Sequence, residues 1–253
     1  RAAAGLSLDG LQIVATPHSH ASAETAVALA REGKVQALMK GALHTDEVLG
    51  AVIDKATGLR TERRITHVFV LDVPQYSKPL FITDAAINIE PDLETKRDII
   101  QNAIDLAHAL GLQEPKVAVL SAVETVTPAI RSTVDAAALC KMADRGQITG
   151  GLVDGPLAFD NAVSVEAARM KGITSSVAGH ADILVAPDLV SGNMIAKQLV
   201  YLAGAQSAGL ALGATVPIIL TSRSDDVEAR VASSALAVLF IAEAKRRKGK
   251  TPA

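Results

Sequence analysis

The run Thr221-Ser222-Arg223-Ser224-Asp225-Asp226 places three hydroxyls, a guanidinium and two carboxylates between an apolar stretch ending at Leu220 and a helical pattern starting near Asp226. Capping of that helix explains one Ser or Asp, whose side chain accepts from the first free amides. It does not explain Arg223, because a cation is disfavoured at the positive end of a helix unless an anion sits there too. The chemistry this spacing allows is an anion gripped by Arg223 and Ser222, with Asp225 or Asp226 handling a proton.

Three other polar clusters follow predicted strands, where open α/β sheets bind ligands. Met39-Lys40-Gly41, with Arg60 downstream in Gly58-Leu-Arg60, offers cations. Thr83-Asp84-Ala-Ala-Ile-Asn88 offers short polar groups, and Asp154-Gly-Pro156 is followed by Asp160-Asn161. For Asp154 a simple turn is as good an account as a ligand.

Other chemistries find no footing. There is no Gly-x-x-x-x-Gly-Lys-Ser/Thr loop and no Gly-x-Gly-x-x-Gly after the first strand, so neither a P-loop nucleotide site nor a dinucleotide fold of the usual kind is expected. His18 and His20 lack a third ligand at suitable spacing, so no metal is expected. Cys140 falls mid-helix between Leu139 and Lys141 and reads as a packed thiol rather than a nucleophile. A single cysteine forms no intramolecular disulfide, which fits a reducing, cytoplasmic compartment.

Positioning these groups requires alternating strands and helices, the signature of an α/β fold. Strands are predicted near Leu11–Ala15, Val35–Met39, Val117–Leu120, Thr149–Val153, Ile183–Ala186 and Val216–Thr221. Thr66–Asp72 and Pro79–Ile82 are too close for a helix between them and should pair as an antiparallel hairpin. Helices are predicted from Asp92 to Gly111, from about Pro128 to Asp144, and from about Asp226 to Lys245, the last ending in a solvated basic run. The expected architecture is two α/β lobes with mainly parallel sheets: residues 1–113 with 222–253, and residues 114–221.

At 253 residues with 49% apolar and 21% charged side chains, the chain has ample material for a core. A formal net charge of −2 and six aromatics exclude a polybasic nucleic-acid binder and a stacking platform for bases. The uncharged run Gln198–Ser222 is read as soluble structure because Gln206, Ser207 and Gly213 interrupt it. The chain opens at Arg1 with no signal-peptide pattern and reads as a piece of something longer, with part of the first lobe missing.

Taken in order, Met39-Lys-Gly, Gly58-Leu-Arg60, Thr83-Asp-Ala-Ala-Ile-Asn88, Asp154-Gly-Pro-Leu-Ala, Asp160-Asn-Ala-Val-Ser164, Gly192-Asn-Met-x-x-Lys197-x-Leu-x-Tyr201-x-Ala-Gly204 and Leu220-Thr-Ser-Arg223-x-Asp225 resemble the phosphate acetyl/butyryltransferase family. The likeness covers nearly the whole chain and leans toward the butyryltransferase branch. It implies reversible transfer of a short acyl group between CoA and inorganic phosphate, by direct attack in a ternary complex. It also implies an isocitrate/isopropylmalate dehydrogenase-like fold and a homodimer. The substrates are acyl-CoA, phosphate and acyl phosphate, with no cofactor, metal, nucleic acid or membrane partner. Ser222, Arg223, Asp225 and Asp226 become the catalytic candidates, and Lys40, Arg60, Thr83, Asp84, Asn88, Asp154 and Asn193 the substrate-binding ones. Acetyl-specific members carry Arg where this chain has Gly50, so Lys40 or Arg60 would supply that cation.

Two other readings compete. One is an acyl-CoA-binding regulatory or oligomerising domain of a larger enzyme, which the retention of Ser222, Arg223 and Asp225 disfavours. The other is a metal- and nicotinamide-dependent dehydrogenase of similar fold, for which no cluster of metal-binding carboxylates can be assembled. If Arg223 grips an anion through parallel donors, Arg223→Lys should lower turnover on the order of 10²-fold despite conserved charge. Near-normal steady-state rates in that variant would reduce Arg223 to a general electrostatic contributor.

Overall fold

The protein is described by a computed structural model covering residues 9–222 and 225–249. In chain order its elements are α1 (Ser19–Arg31), β1 (Leu38–Met39), α2 (Thr45–Ile53), β2 (Thr66–Asp72), β3 (Leu80–Thr83), α3 (Leu93–Ala109), β4 (Lys116–Leu120), α4 (Arg131–Asp144), β5 (Leu152–Leu157), α5 (Phe159–Val163), α6 (Val165–Met170), β6 (Ile183–Val185), α7 (Leu189–Ala203), β7 (Gln206–Leu212), β8 (Ile218–Ile219) and α8 (Val227–Lys248).

All eight strands join one sheet in the order β1-β8-β7-β2-β3-β6-β4-β5. Strands from the two expected lobes alternate in it, with β8 and β7 lying between β1 and β2. The pairs β1–β8, β3–β6, β6–β4 and β4–β5 are parallel, whereas β7–β8, β2–β7 and β2–β3 are antiparallel. Alternating side chains are apolar on both faces, as a sheet covered by helices on each side requires. Val68, Phe81, Val117, Val119, Ile183 and Val185 pack beneath α3, α4 and α8. Leu71, Ile82, Ala118 and Leu184 face α7 and the short helices before it. A third cluster, including Val27, Val48, Val52 and Ile218, closes the β1 edge under α1 and α2.

The expected hairpin forms, with Val68 opposite Thr83 and Leu71 opposite Leu80. Helix α3 starts at Asp92, whose carboxylate accepts from Thr95 N at 2.8 Å. Other expectations need correction. Residues 11–15 form no strand, and Leu11 and Ile13 are exposed, because no sheet edge reaches them. The uncharged run is divided among the end of α7, β7 and β8, so β7, a seven-residue strand, was hidden in it. Gly213, at φ 95°, turns the chain between β7 and β8, where a Cβ would lie 2.1 Å from Arg64 O. Asp154-Gly-Pro156 is not a turn after a strand but part of β5; an edge strand tolerates Pro, and the register with β4 shifts between Ala118 and Leu120. The basic run at the end of α8 is partly paired, with Arg246 and Arg247 both bonded to Glu243. Among the described residues no helix is long and apolar enough to cross a membrane.

Among the described residues, two buried side-chain atoms, His67 Nδ1 and Asn161 Oδ1, have no hydrogen-bond partner, and the first carries a consequence for stability. His67 is 1% exposed, its ring meets Phe69 edge-on with centroids 4.4 Å apart, and its buried Nδ1 has no hydrogen-bond partner. Gly209 makes room for the ring, since a Cβ there would stand 2.9 Å from His67 Cε1. Burial pushes the pKa from 6.5 down to about 4. Between those values the unfolded chain binds a proton that the folded chain refuses, so stability is complete above about pH 6.5 and falls as pH drops toward 4. Denaturant titrations of the parent and of His67→Gln should diverge across this window by up to about 3 kcal/mol. Parallel pH profiles would show that His67 is not the group responsible.

Candidate active site

Strand direction separates the candidate residues into two groups. Because β2 is antiparallel to β3 and to β7, and β7 to β8, the carboxyl ends of β1 and β8 point opposite to those of β3, β6, β4 and β5. Lys40 and Ser222 follow the first pair, while Thr83, Asp84 and Asp154 belong to the second set of strands.

At β1 and β8 the chain is held by Lys40 N donating to Ile219 O at 3.0 Å and by Thr221 Oγ1 donating to Lys40 O at 3.2 Å. Lys40 is 6% exposed, and its ammonium donates to Leu43 O at 3.1 Å and to Gly41 O at 3.4 Å. No carboxylate forms an ion pair with it among the described residues. A buried cation met only by carbonyl dipoles is incompletely compensated, and an anion would complete the site.

The next described residues bond to one another. Ser222 N donates to Asp225 Oδ2 at 2.7 Å, and Asp225 N returns a bond to Ser222 O at 3.3 Å. Asp226 is the N-cap of α8, its Oδ1 accepting from Ala229 N at 2.8 Å. Arg230, one turn into α8, donates from Nε to Asp225 O at 3.3 Å and from Nη2 to Ser222 O at 3.4 Å. Arg223 lies outside the described residues. Sequence reasoning missed Arg230; the available signal was a second guanidinium one helical turn beyond Asp226.

The second group is bound up in its own support. Thr83 Oγ1 donates to His67 O at 2.9 Å. Asp84, 2% exposed, accepts from the amides of Ala86, Ile87 and Asn88 at 3.0, 3.1 and 3.2 Å and from Asn88 Nδ2 at 2.5 Å. Burial raises its pKa against these bonds, which favour the ionised form. Asn88 Nδ2 also reaches Ile65 O at 2.9 Å, and Asn193 Nδ2 reaches Ala85 O at 3.0 Å. Gly192 permits that approach, because a Cβ would lie 2.6 Å from Asp84 O. These side chains build the loop after β3.

Asp154 and Arg60 stand apart. On edge strand β5, Asp154 accepts from Gly155 N at 2.8 Å and from Ser175 Oγ. Behind it, Cys140 Sγ points to Gly155 O at 3.5 Å, and burial, with Asp154 and Asp144 adding, pushes its thiol up to about 12. Arg60 is exposed, and its backbone is bridged to Ala214. His18 caps α1 through Nδ1, which accepts from Ala21 N at 3.2 Å. Among the described residues no group of three or more His, Cys, Asp or Glu could hold a metal.

The fold is an α/β sheet flanked by helices, in which a buried Lys40 meets carbonyl oxygens near the bonded pair Ser222 and Asp225. The sequence pattern of the phosphate acetyl/butaryl transferase family matches residues 11–238. The phosphate acetyltransferase of Rhizobium meliloti is 66% identical over 94% of this chain and 75% of its own length. The phosphate butyryltransferase of Clostridium acetobutylicum is 44% identical over 93% of this chain and 78% of its own. Among solved structures, a branched-chain phosphotransacylase from Enterococcus faecalis V583 superposes with a TM-score of 0.83 at 35% identity, covering 90% of this chain and 82% of that one. A phosphotransacetylase from Streptococcus pyogenes gives 0.74 at 25% identity, over 89% and 68%. The chain therefore belongs to the phosphate acetyl/butaryl transferase family and is an acyltransferase. Relatives from both branches match, with an acetyltransferase at the higher identity.

The cap assignment is directly testable. Asp226→Ala should lower stability by about 1 kcal/mol in denaturant titration, while Asp226→Asn, which also caps, should leave it nearly unchanged. Equal losses in both would mean that the carboxylate charge rather than the cap matters.

Proposed function

We propose that this acyltransferase moves a short acyl group between CoA and inorganic phosphate by direct attack, with Lys40, Ser222, Arg223 and Asp225 around the reacting atoms. The observation that carries this reading is the buried Lys40 ammonium, met among the described residues by main-chain carbonyls alone, with Thr221 bonding Lys40 O next to the bonded pair Ser222 and Asp225.

In the acyl-CoA direction a phosphate oxygen bonds to the thioester carbonyl carbon. The carbonyl becomes a tetrahedral oxyanion, the C–S bond breaks, and the departing sulfur takes a proton. A dianion must meet an electron-rich carbonyl, so the protein's task is to place positive charge and donors around them. Lys40 supplies a point charge for phosphate. Arg223, next to Ser222 in sequence, supplies a fork of donors, and the Ser222 hydroxyl one more.

Asp225 is the better base of the two carboxylates. Asp226 is committed to capping α8, whereas Asp225 binds the Ser222 amide through one oxygen. A carboxylate has about four acceptor positions, so it can hold that amide and still take a thiol proton. Thr83, Asp84, Asn88 and Asn193 act as supports for the loop after β3, and Arg60 and Asp154 carry weaker claims to substrate. The reading includes no resident cofactor or metal, and a cytoplasmic homodimer.

Replacing Lys40 by Gln should raise KM for phosphate about tenfold or more, the worth of a charge-assisted hydrogen bond. Asp225→Asn should slow acyl phosphate consumption at neutral pH by about 10²–10⁴-fold, and the deficit should shrink as rising pH generates thiolate from a group with a pKa near ~8.5. A deficit constant with pH would remove Asp225 from proton transfer, and failure of the parent chain to form acyl phosphate from any short acyl-CoA would remove the proposed reaction.

A further inference from the structure

Helix α8 holds its place in the fold without the Arg230 side chain. Asp226 caps its first turn, accepting from Ala229 N at 2.8 Å. Ser233 ties it to β7, its Oγ accepting from Gly209 N at 3.0 Å and donating to Ala229 O at 2.7 Å. Leu236 and Ala237 seat it in the main core.

The guanidinium of Arg230 serves something else. A cation is poorly placed near the positive end of a helix, so helix formation gives no reason for it. Side chains on a helix lean toward its N-terminus, which carries this one back over the cap. There Nε donates to Asp225 O at 3.3 Å and Nη2 to Ser222 O at 3.4 Å. Among the described residues Arg230 forms no ion pair, although Asp226 lies four positions before it and Glu228 two. A planar fork reaches two carbonyls at once, which a single ammonium cannot do.

The two carbonyls belong to residues that also hold each other. Asp225 N donates to Ser222 O at 3.3 Å, and Ser222 N donates to Asp225 Oδ2 at 2.7 Å. Asp225 is thus gripped at its amide, its carbonyl and one carboxylate oxygen. Each of those bonds ends on Arg230 or on Ser222, which Arg230 holds in turn. Without the guanidinium the Ser222–Asp225 pair keeps its internal bonds but loses its side-chain link to α8. A carboxylate that takes a proton in a transition state does not tolerate such freedom, since a displacement of about 1 Å can cost on the order of 10²-fold in rate.

Resting on the reading of Asp225 as the base, we propose that Arg230 is its positioning residue: the guanidinium fixes the main chain of Ser222 and Asp225 to α8 and so sets the direction of the Asp225 carboxylate. In this role it touches neither phosphate nor thioester.

Arg230→Gln removes both bonds. In the acyl phosphate-consuming direction at neutral pH it should lower kcat about tenfold or more, with KM for acyl phosphate and for CoA within about twofold of the parent and the melting temperature unchanged. The deficit should shrink as pH rises, because thiolate formed without a base does not need a placed carboxylate. In an Asp225→Asn background the same substitution should cost less than about twofold more, the non-additivity of groups that act through one another. Arg230→Lys should recover part of the rate. An unchanged kcat, a deficit constant with pH, or losses that multiply fully with Asp225→Asn overturn the assignment. So does a rise confined to KM, which would put Arg230 in contact with substrate, or a rate loss in both Arg230 variants that follows a lowered melting temperature.

If the parent chain forms no acyl phosphate, or Asp225→Asn keeps the parent rate, the reading of the reaction fails, and amide hydrogen exchange decides the clamp separately. The Ser222 and Asp225 amides should exchange about tenfold faster in Arg230→Gln, with the Ala229 amide, held by the cap, at its parent rate. Unchanged exchange at Ser222 and Asp225, or acceleration that includes Ala229, overturns the clamp.

Discussion

The antiparallel pairing of β2 on both of its edges governs the arrangement of this molecule. It pairs with β7 from Thr66–Leu212 to Asp72–Gln206 and with β3 from Val68–Thr83 to Leu71–Leu80. A uniformly parallel sheet presents all its carboxyl ends on one side, and ligands gather there. Here the direction reverses in the middle, so β1 and β8 deliver Lys40 and Ser222 opposite to the way β3, β6 and β4 deliver their loops. Polar clusters that look equivalent along the chain are therefore sorted into different surroundings.

Within those surroundings, the partners of a buried charge decide what it can do. Asp84 and Lys40 are both nearly inaccessible. Asp84 collects donors from a single loop and so fixes that loop's shape. Lys40 has two carbonyl oxygens, which lower the cost of its burial without cancelling its charge. The first arrangement satisfies the charge within its own loop, and the second leaves it only partly compensated. Lys96 and Asp135 form a largely buried pair, and Arg131 stands 3.7 Å from the same carboxylate oxygen.

Much of the local structure was legible along the chain. Asp92 with the apolar spacing after it, the close succession of two β-branched runs, and Asp226 before the final helix each act within a few residues, and each is found where expected. The apolar run at 11–15 carried the same strand signal but lacks a partner edge. The opposite failure is β7, whose alternation was lost in an uncharged stretch shared with α7 and β8. Asp154 read as equally a turn or a ligand and lies inside an edge strand.

For the site, residue types and short spacing determined which groups could bind an anion and move a proton, since Ser222, Asp225 and Asp226 are neighbours whose contacts are short-range hydrogen bonds and one helix cap. Only the tertiary structure decided which charge neutralises which. Lys40 meets Thr221 across 181 residues, Lys96 meets Asp135 across 39, and Asp154 meets Ser175 across 21. Electrostatic balance depends on distance and burial in the folded state, and both are fixed by sheet order and helix packing rather than by position along the chain.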